Sequence, residues 1–157
     1  FLMGVFAIGL AAVAIGLPVM TIWHQEVLAA LQEDGAPAHV YWVLVGVVTL
    51  GGVVLYLAFL FVRDMKRIVD SVAEGDPFVP VNAERLTAMA WLMLAIQLLS
   101  IPIAAMSIYM VSLLESESQV RGDGGTLNGL VLVLVLFILA RVFRKGAEMR
   151  EDLQGTV

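Results

Sequence analysis

The residues that could do chemistry are few. His24, Glu26 and His39 supply two imidazoles and a carboxylate, a donor set that a divalent metal accepts. Their spacing matches no zinc pattern, and they read as surface groups. Glu115, Glu117 and Asp123 offer oxygen ligands for calcium, but not at the intervals of an EF-hand loop, and they read as a solvated loop. The chain contains no cysteine, which removes thiolate metal sites, thiol redox chemistry and cysteine nucleophiles. No serine stands in a G-x-S-x-G turn, and there is no G-x-x-x-x-G-K-[ST] phosphate loop. The expectation is a protein that is not an enzyme and holds neither metal nor cofactor.

The elements that carry these residues are apolar. The 157 residues are 61% hydrophobic and 15% charged, with mean hydropathy +0.94. Soluble domains run nearer half apolar and a quarter charged. The net charge of −5 gives no basic footprint for nucleic acid, so direct DNA or RNA binding is not expected. Phe1 to Ile22, Val40 to Val62 and Leu86 to Leu114 carry no charge, and each is long enough to cross a bilayer. A fourth stretch reaches span length by including Arg141, which can snorkel to the interface. The reading is an all-α, polytopic, four-transmembrane-helix bundle. It forms a single membrane domain over 1–157, with spans at about 2–23, 40–62, 86–113 and 127–143. Phe1 to Ile22 lacks the basic n-region of a signal peptide. Because the chain opens on Phe, further residues are expected before it.

Loop charge sets the orientation. The loop at 63–85 and the end of the chain from Arg141 hold eight of the nine Lys and Arg residues; only Arg121 lies in the other loops. Short basic loops stay cytoplasmic, which puts both termini and the 63–85 loop inside. Trp23, Tyr41 and Trp42 then mark the outer interface, and Trp91 the inner one.

None of the spans has Asp, Glu, Lys or His near its centre, which weakens proton-coupled transport. Gln97 is the most polar deep side chain and reads first as an interhelical hydrogen bond. With Ser100 and a kink at Pro102, it is also the intramembrane candidate for a ligand or ion site. Ala12-x-x-x-Gly16 and Ser100-x-x-x-Ala104 permit close helix approach, within the chain or in a homo-oligomer.

Both cytoplasmic overhangs are amphipathic. Met65, Ile68, Val69 and Val72 continue the second span as one stripe. Arg63, Asp64, Lys66, Arg67 and Asp70 lie on other faces. Gly75-Asp76-Pro77 ends this helix, and Asn82 reads as the N-cap of the next, with Glu84 in its first turn. Val142, Gly146, Met149 and Leu153 form a second stripe on the tail at 144–157. Val27, Leu28 and Leu31 read as an extension of the first helix, and Glu115 to Gly125 as a mobile loop. The two stripes either pack together and cap the bundle or dock a cytoplasmic partner. Their charges are too mixed for a strong anionic-lipid patch.

The stretch Glu74-Gly75-Asp76-Pro77-Phe78-Val79-Pro80, then Asn82-Ala83-Glu84-Arg85-Leu86, resembles the loop of a bacterial family, domain of unknown function 2975. So does Ile138 to Arg150, with the terminal Asp152-Leu153 and Thr156-Val157. Val81 departs from the acid expected before Asn82. The resemblance implies a small inner-membrane protein that holds or releases a cytoplasmic Cro/C1-type helix-turn-helix regulator. The residues expected to carry that contact are Met65, Val72, Asp76, Phe78, Arg85, Arg144, Met149 and Leu153. Two other functions fit the same sequence. One is a channel, transporter or lipid-binding protein with a site near Gln97 and Pro102. The other is an accessory or immunity protein acting on another membrane component.

Overall fold

The computed structural model describes residues 2–33, 37–73, 75, 77–113 and 125–154. Five helices form among them: α1 (Leu2–Ile22), α2 (His24–Glu33), α3 (Val40–Ala73), α4 (Pro80–Leu113) and α5 (Gly125–Gln154). Four of these, all but α2, are long and apolar enough to cross a membrane. α3 and α4 have 34 residues each. That is about 51 Å at 1.5 Å per residue, against a hydrocarbon core of about 30 Å. The expected overshoot of the second span is therefore a continuation of the same helix, and α5 likewise runs without a break past Arg141 to Gln154. The helices gather into two compact units, divided at Tyr56/Leu57 in α3 and at Gln97/Leu98 in α4.

The first unit comprises α1, α2, the start of α3 and the end of α4. The chain turns at Trp23, whose carbonyl accepts from the backbone N–H of both Glu26 and Val27. Val27, Leu28 and Leu31 therefore belong to a separate helix, α2, and do not extend α1 as the sequence suggested. Glu26 lies in its first turn, where the helix dipole favours an acid. Tyr41 is buried and donates its hydroxyl to the Met20 carbonyl at 3.0 Å. The His24 ring meets Tyr41 edge-on at 4.5 Å, and Tyr41 meets Trp42 at 5.3 Å. Of the expected aromatic residues, Tyr41 and Trp42 meet each other and His24, and Trp23 is exposed.

Close packing in this unit uses glycines other than the expected one. Gly9 faces the Leu55 side chain, Gly52 faces Val13, and Gly46 faces the Met106 methyl. Gly16 has nothing within 4 Å and Ala12 is exposed, so that pair makes no close approach here. Between helices in lipid, burial gains little because the solvent is itself apolar, and small residues allow the backbone approach that drives packing. Ile8, Ile15 and Ile22 are 66–75% exposed. A soluble surface would not carry such a run, and a bilayer would cover it. Pro102 lies inside the continuous α4.

The second unit comprises the end of α3, the start of α4 and α5. Its core is Leu86, Met89 and Ala90 of α4 with Leu136 and Ala140 of α5. Phe61 and Ile68 of α3 and Phe143 of α5 pack around it. α4 begins at Pro80, whose fixed φ and missing N–H suit a first helical position. Asn82 is therefore two residues inside the helix and is not its N-cap. The buried face of α5 runs through Val133, Leu136, Ala140 and Ala147. The expected stripe splits: Val142 is 54% and Met149 57% exposed, whereas Gly146 lies under Phe78. Asp64, expected on a face other than the apolar stripe, is 7% exposed and held by Arg63 Nε at 3.2 Å and Arg67 at 3.5 Å.

Candidate partner-binding site

The motif that follows α3 builds a fixed corner. Gly75 has φ +88°, a left-handed conformation that suits glycine, and its N–H closes on the Val72 carbonyl at 3.0 Å. Asn82 is fully buried beneath the corner. Its amide N–H₂ donates to Ser71 Oγ at 2.7 Å and to the Pro77 carbonyl at 3.0 Å. Its amide oxygen accepts from Arg85 Nη1 at 3.0 Å, and that same nitrogen also donates to the Arg67 carbonyl at 3.2 Å. Ser71 Oγ donates in turn to Ile68 O. One amide thus ties the last turns of α3, the loop and the first turn of α4.

Phe78 locks α5 onto this corner. Its ring meets Phe143 at 5.3 Å with the planes inclined at 44°, and it lies over Gly146, where an added Cβ would come within 2.7 Å of it. Ala83 and Ala147 are buried and small. The GDPF-x-x-x-NAxRL segment is accordingly explained by internal contacts: Gly75 makes the turn, Phe78 fits Gly146, Asn82 bonds three partners, and Leu86 enters the core.

The expected contact residues divide on this geometry. Met65 is 41%, Val72 48% and Met149 57% exposed, and Val69, in the same stripe as Met65 and Val72, is 59% exposed. Arg144 is exposed as well. Phe78 is 41% exposed on one side while it meets Phe143 on the other. Arg85 is spent on Asn82 and the Arg67 carbonyl. Asp76 and the side chain of Leu153 lie outside the described residues, as do the acidic set Glu115, Glu117 and Asp123 and most of the loop that carries it.

Sequence reasoning missed the role of Asn82, the Phe78–Gly146 fit and the exposure of Val142. Only the motif itself signalled the first two.

The intramembrane candidates are engaged. The Gln97 amide occupies the space above Gly129, where an added Cβ would lie 1.3 Å from Nε2. Neither Gln97 nor Ser100 is without a partner. His39 Nε2 pairs with the Tyr109 hydroxyl, and His24 with the Tyr41 ring. Among the described residues, no three His, Asp or Glu side chains group as metal ligands.

A family model described as a protein of unknown function, DUF2975, matches residues 27–157. No curated protein and no solved structure matches the chain.

Proposed function

We propose that this chain, which belongs to the DUF2975 family, is a non-enzymatic regulatory protein of the bacterial inner membrane. It has both termini in the cytoplasm and holds a small helix-turn-helix regulator against the charged end of its second unit. The observation that carries this reading is the state of Met65, Val69, Val72 and Met149. All four are at least 41% exposed. Inside the hydrocarbon such exposure is covered by lipid. Here the same helical turns carry Lys66, Asp70, Lys145, Glu148 and Glu151, which belong in water. Apolar side chains standing in water beside charged ones are the composition of a protein-binding surface. The basic residues of the same segments support the cytoplasmic orientation.

The test replaces Met65, Val72, Met149 or Leu153 with Glu in the full chain, followed by affinity capture from its own cells and mass spectrometry. Membrane insertion should be unchanged, because none of these positions lies in an apolar span. Captured regulator should fall by about 30-fold at one or more of them, the effect of losing an interface anchor worth about 2 kcal/mol. Undiminished capture with all four variants would remove this surface from consideration.

One observation favours a second reading, an accessory protein that contacts another membrane component. Ala12 is exposed and Gly16 is open, so α1 offers a small-residue track to a foreign helix. Ala12→Leu would then lose a membrane protein from the eluate and leave the soluble one.

A further inference from the structure

Folding sorts the charges of α5 more than the sequence suggested. Arg141, Arg144, Lys145 and Glu148 are spaced i, i+3, i+4 and i+7, so they share one helical face. With Thr87 of α4 and Phe137 of α5 they line a cavity of about 670 Å³ that opens to the surface. Lys145 Nζ is paired with Glu148 at 3.1 Å. Arg141 and Arg144 have no ion-pair partner among the described residues. Two guanidiniums therefore stand on one helical face without an ion pair among the described residues.

Before Arg141 the same face becomes apolar and aromatic, at Phe137 and Ala140. Phe137 lies one turn before Arg141 and meets Trp91 edge-on at 5.6 Å, and Trp91 is 59% exposed. Tryptophan at such a position marks the headgroup level of a bilayer. The uncharged run of α5 ends at Ala140, so Arg141 and Arg144 stand where the hydrocarbon gives way to headgroups.

We infer that this groove binds the phosphate-bearing headgroup of an anionic phospholipid. The phosphate would sit against Arg141 and Arg144, and the first acyl carbons would lie along Phe137 and Trp91. Guanidinium is suited to this task because its planar fork matches two phosphate oxygens. Basic pockets between spanning helices are where such headgroups are held. Charge complementarity selects the occupant, since the groove offers two guanidiniums, without an ion pair among the described residues, at the level where a bilayer presents its phosphates. The inference is independent of the docking reading, because anionic lipid would fill the groove in either orientation of the chain.

The experiment is native mass spectrometry of the full chain released from nanodiscs of equal phosphatidylglycerol and phosphatidylcholine. The readout is the number and identity of retained lipids. The wild type should retain phosphatidylglycerol selectively. Arg141→Gln/Arg144→Gln should weaken that retention by about 25-fold, roughly fivefold for each cation removed near a membrane surface. Lys66→Gln, which removes an exposed cation of α3, should leave it unchanged. Arg141→Lys/Arg144→Lys, which keeps the charge and loses the fork, should fall between them. Inorganic phosphate at millimolar concentration should not displace the lipid, because it lacks the acyl contacts. Equal retention in the Gln variant, equal loss in Lys66→Gln, no preference over phosphatidylcholine, or displacement by inorganic phosphate would each overturn the inference. A matching thermal midpoint for all variants separates lost binding from lost folding.

Discussion

Asn82→Leu is expected to destabilise the protein by about 3 kcal/mol and to lower its thermal unfolding midpoint in detergent by roughly 10 °C. Leucine has the branching of asparagine and a larger volume, so the cost is not a cavity. It comes from removing the amide that donates to Ser71 and Pro77 and accepts from Arg85. Asn82 is fully buried, so water cannot replace those bonds without opening the corner. Ser71 keeps its bond to Ile68, and Arg85 keeps its bond to Arg67, which limits the damage to the loop carbonyl and one guanidinium nitrogen. Asn82→Asp should not rescue. It preserves the acceptor for Arg85 but turns a second oxygen toward the Pro77 carbonyl. A midpoint for Asn82→Leu within about 2 °C of wild type, less than 1 kcal/mol on this scale, would show that the corner does not depend on this amide.

Gly129→Leu is expected to be comparably damaging, and its reversal by a second substitution is the stronger test. A Cβ at position 129 would overlap the Gln97 amide, at 1.3 Å from Nε2 and 2.2 Å from Cδ. These atoms are the far end of a flexible side chain. Gly129→Ala should therefore displace the amide and leave the backbone in place, at about 1 kcal/mol, the typical worth of an interhelical polar contact in lipid. Leucine needs more room than the amide vacates and should cost about 3 kcal/mol through overpacking between α4 and α5. Gln97→Ala combined with Gly129→Ala should recover most of the single-mutant loss, because the bulk moves from one helix to the other. Additive losses in the double variant would show that the two positions are not in contact. The same contact bears on transport. A glutamine seated on a glycine is what packing asks of this position, and a ligand or ion site would instead leave it lining open space.

What the sequence made legible follows from the range of the signal. Charge-free runs longer than a bilayer need no partner to be read, so the four apolar helices and the continuous overhang of α3 were visible. The family resemblance rested on Gly75 to Leu86 and the terminal helix, and the family match confirms it. Contacts that need a partner were not visible. Asn82 is a preferred cap residue, and only the packing of α3 against α4 converts it into a buried three-way bond. Asp64 was legible only as lying off the apolar stripe; in the fold it is buried and paired with Arg63 and Arg67. On α5 a hydropathy stripe selects Val142 and Met149, the larger side chains. The helices approach instead through Ala140 and Ala147, whose advantage is small size. The break at Trp23 carries no glycine or proline of its own, and nothing local distinguishes it from a continuing helix.

The contact that would define the function is the one between the exposed apolar residues of the second unit and a soluble protein. It is tested most directly by placing a photo-crosslinking residue at Val72 or at Met149 of the full chain in its own cells. Ile8, 72% exposed in an apolar span, serves as the reference position. Val72 and Met149 should each trap one small soluble helical protein, and Ile8 should trap lipid and not this protein. Lipid-sized adducts at all three positions, or the same membrane protein at all three, would rule out that contact.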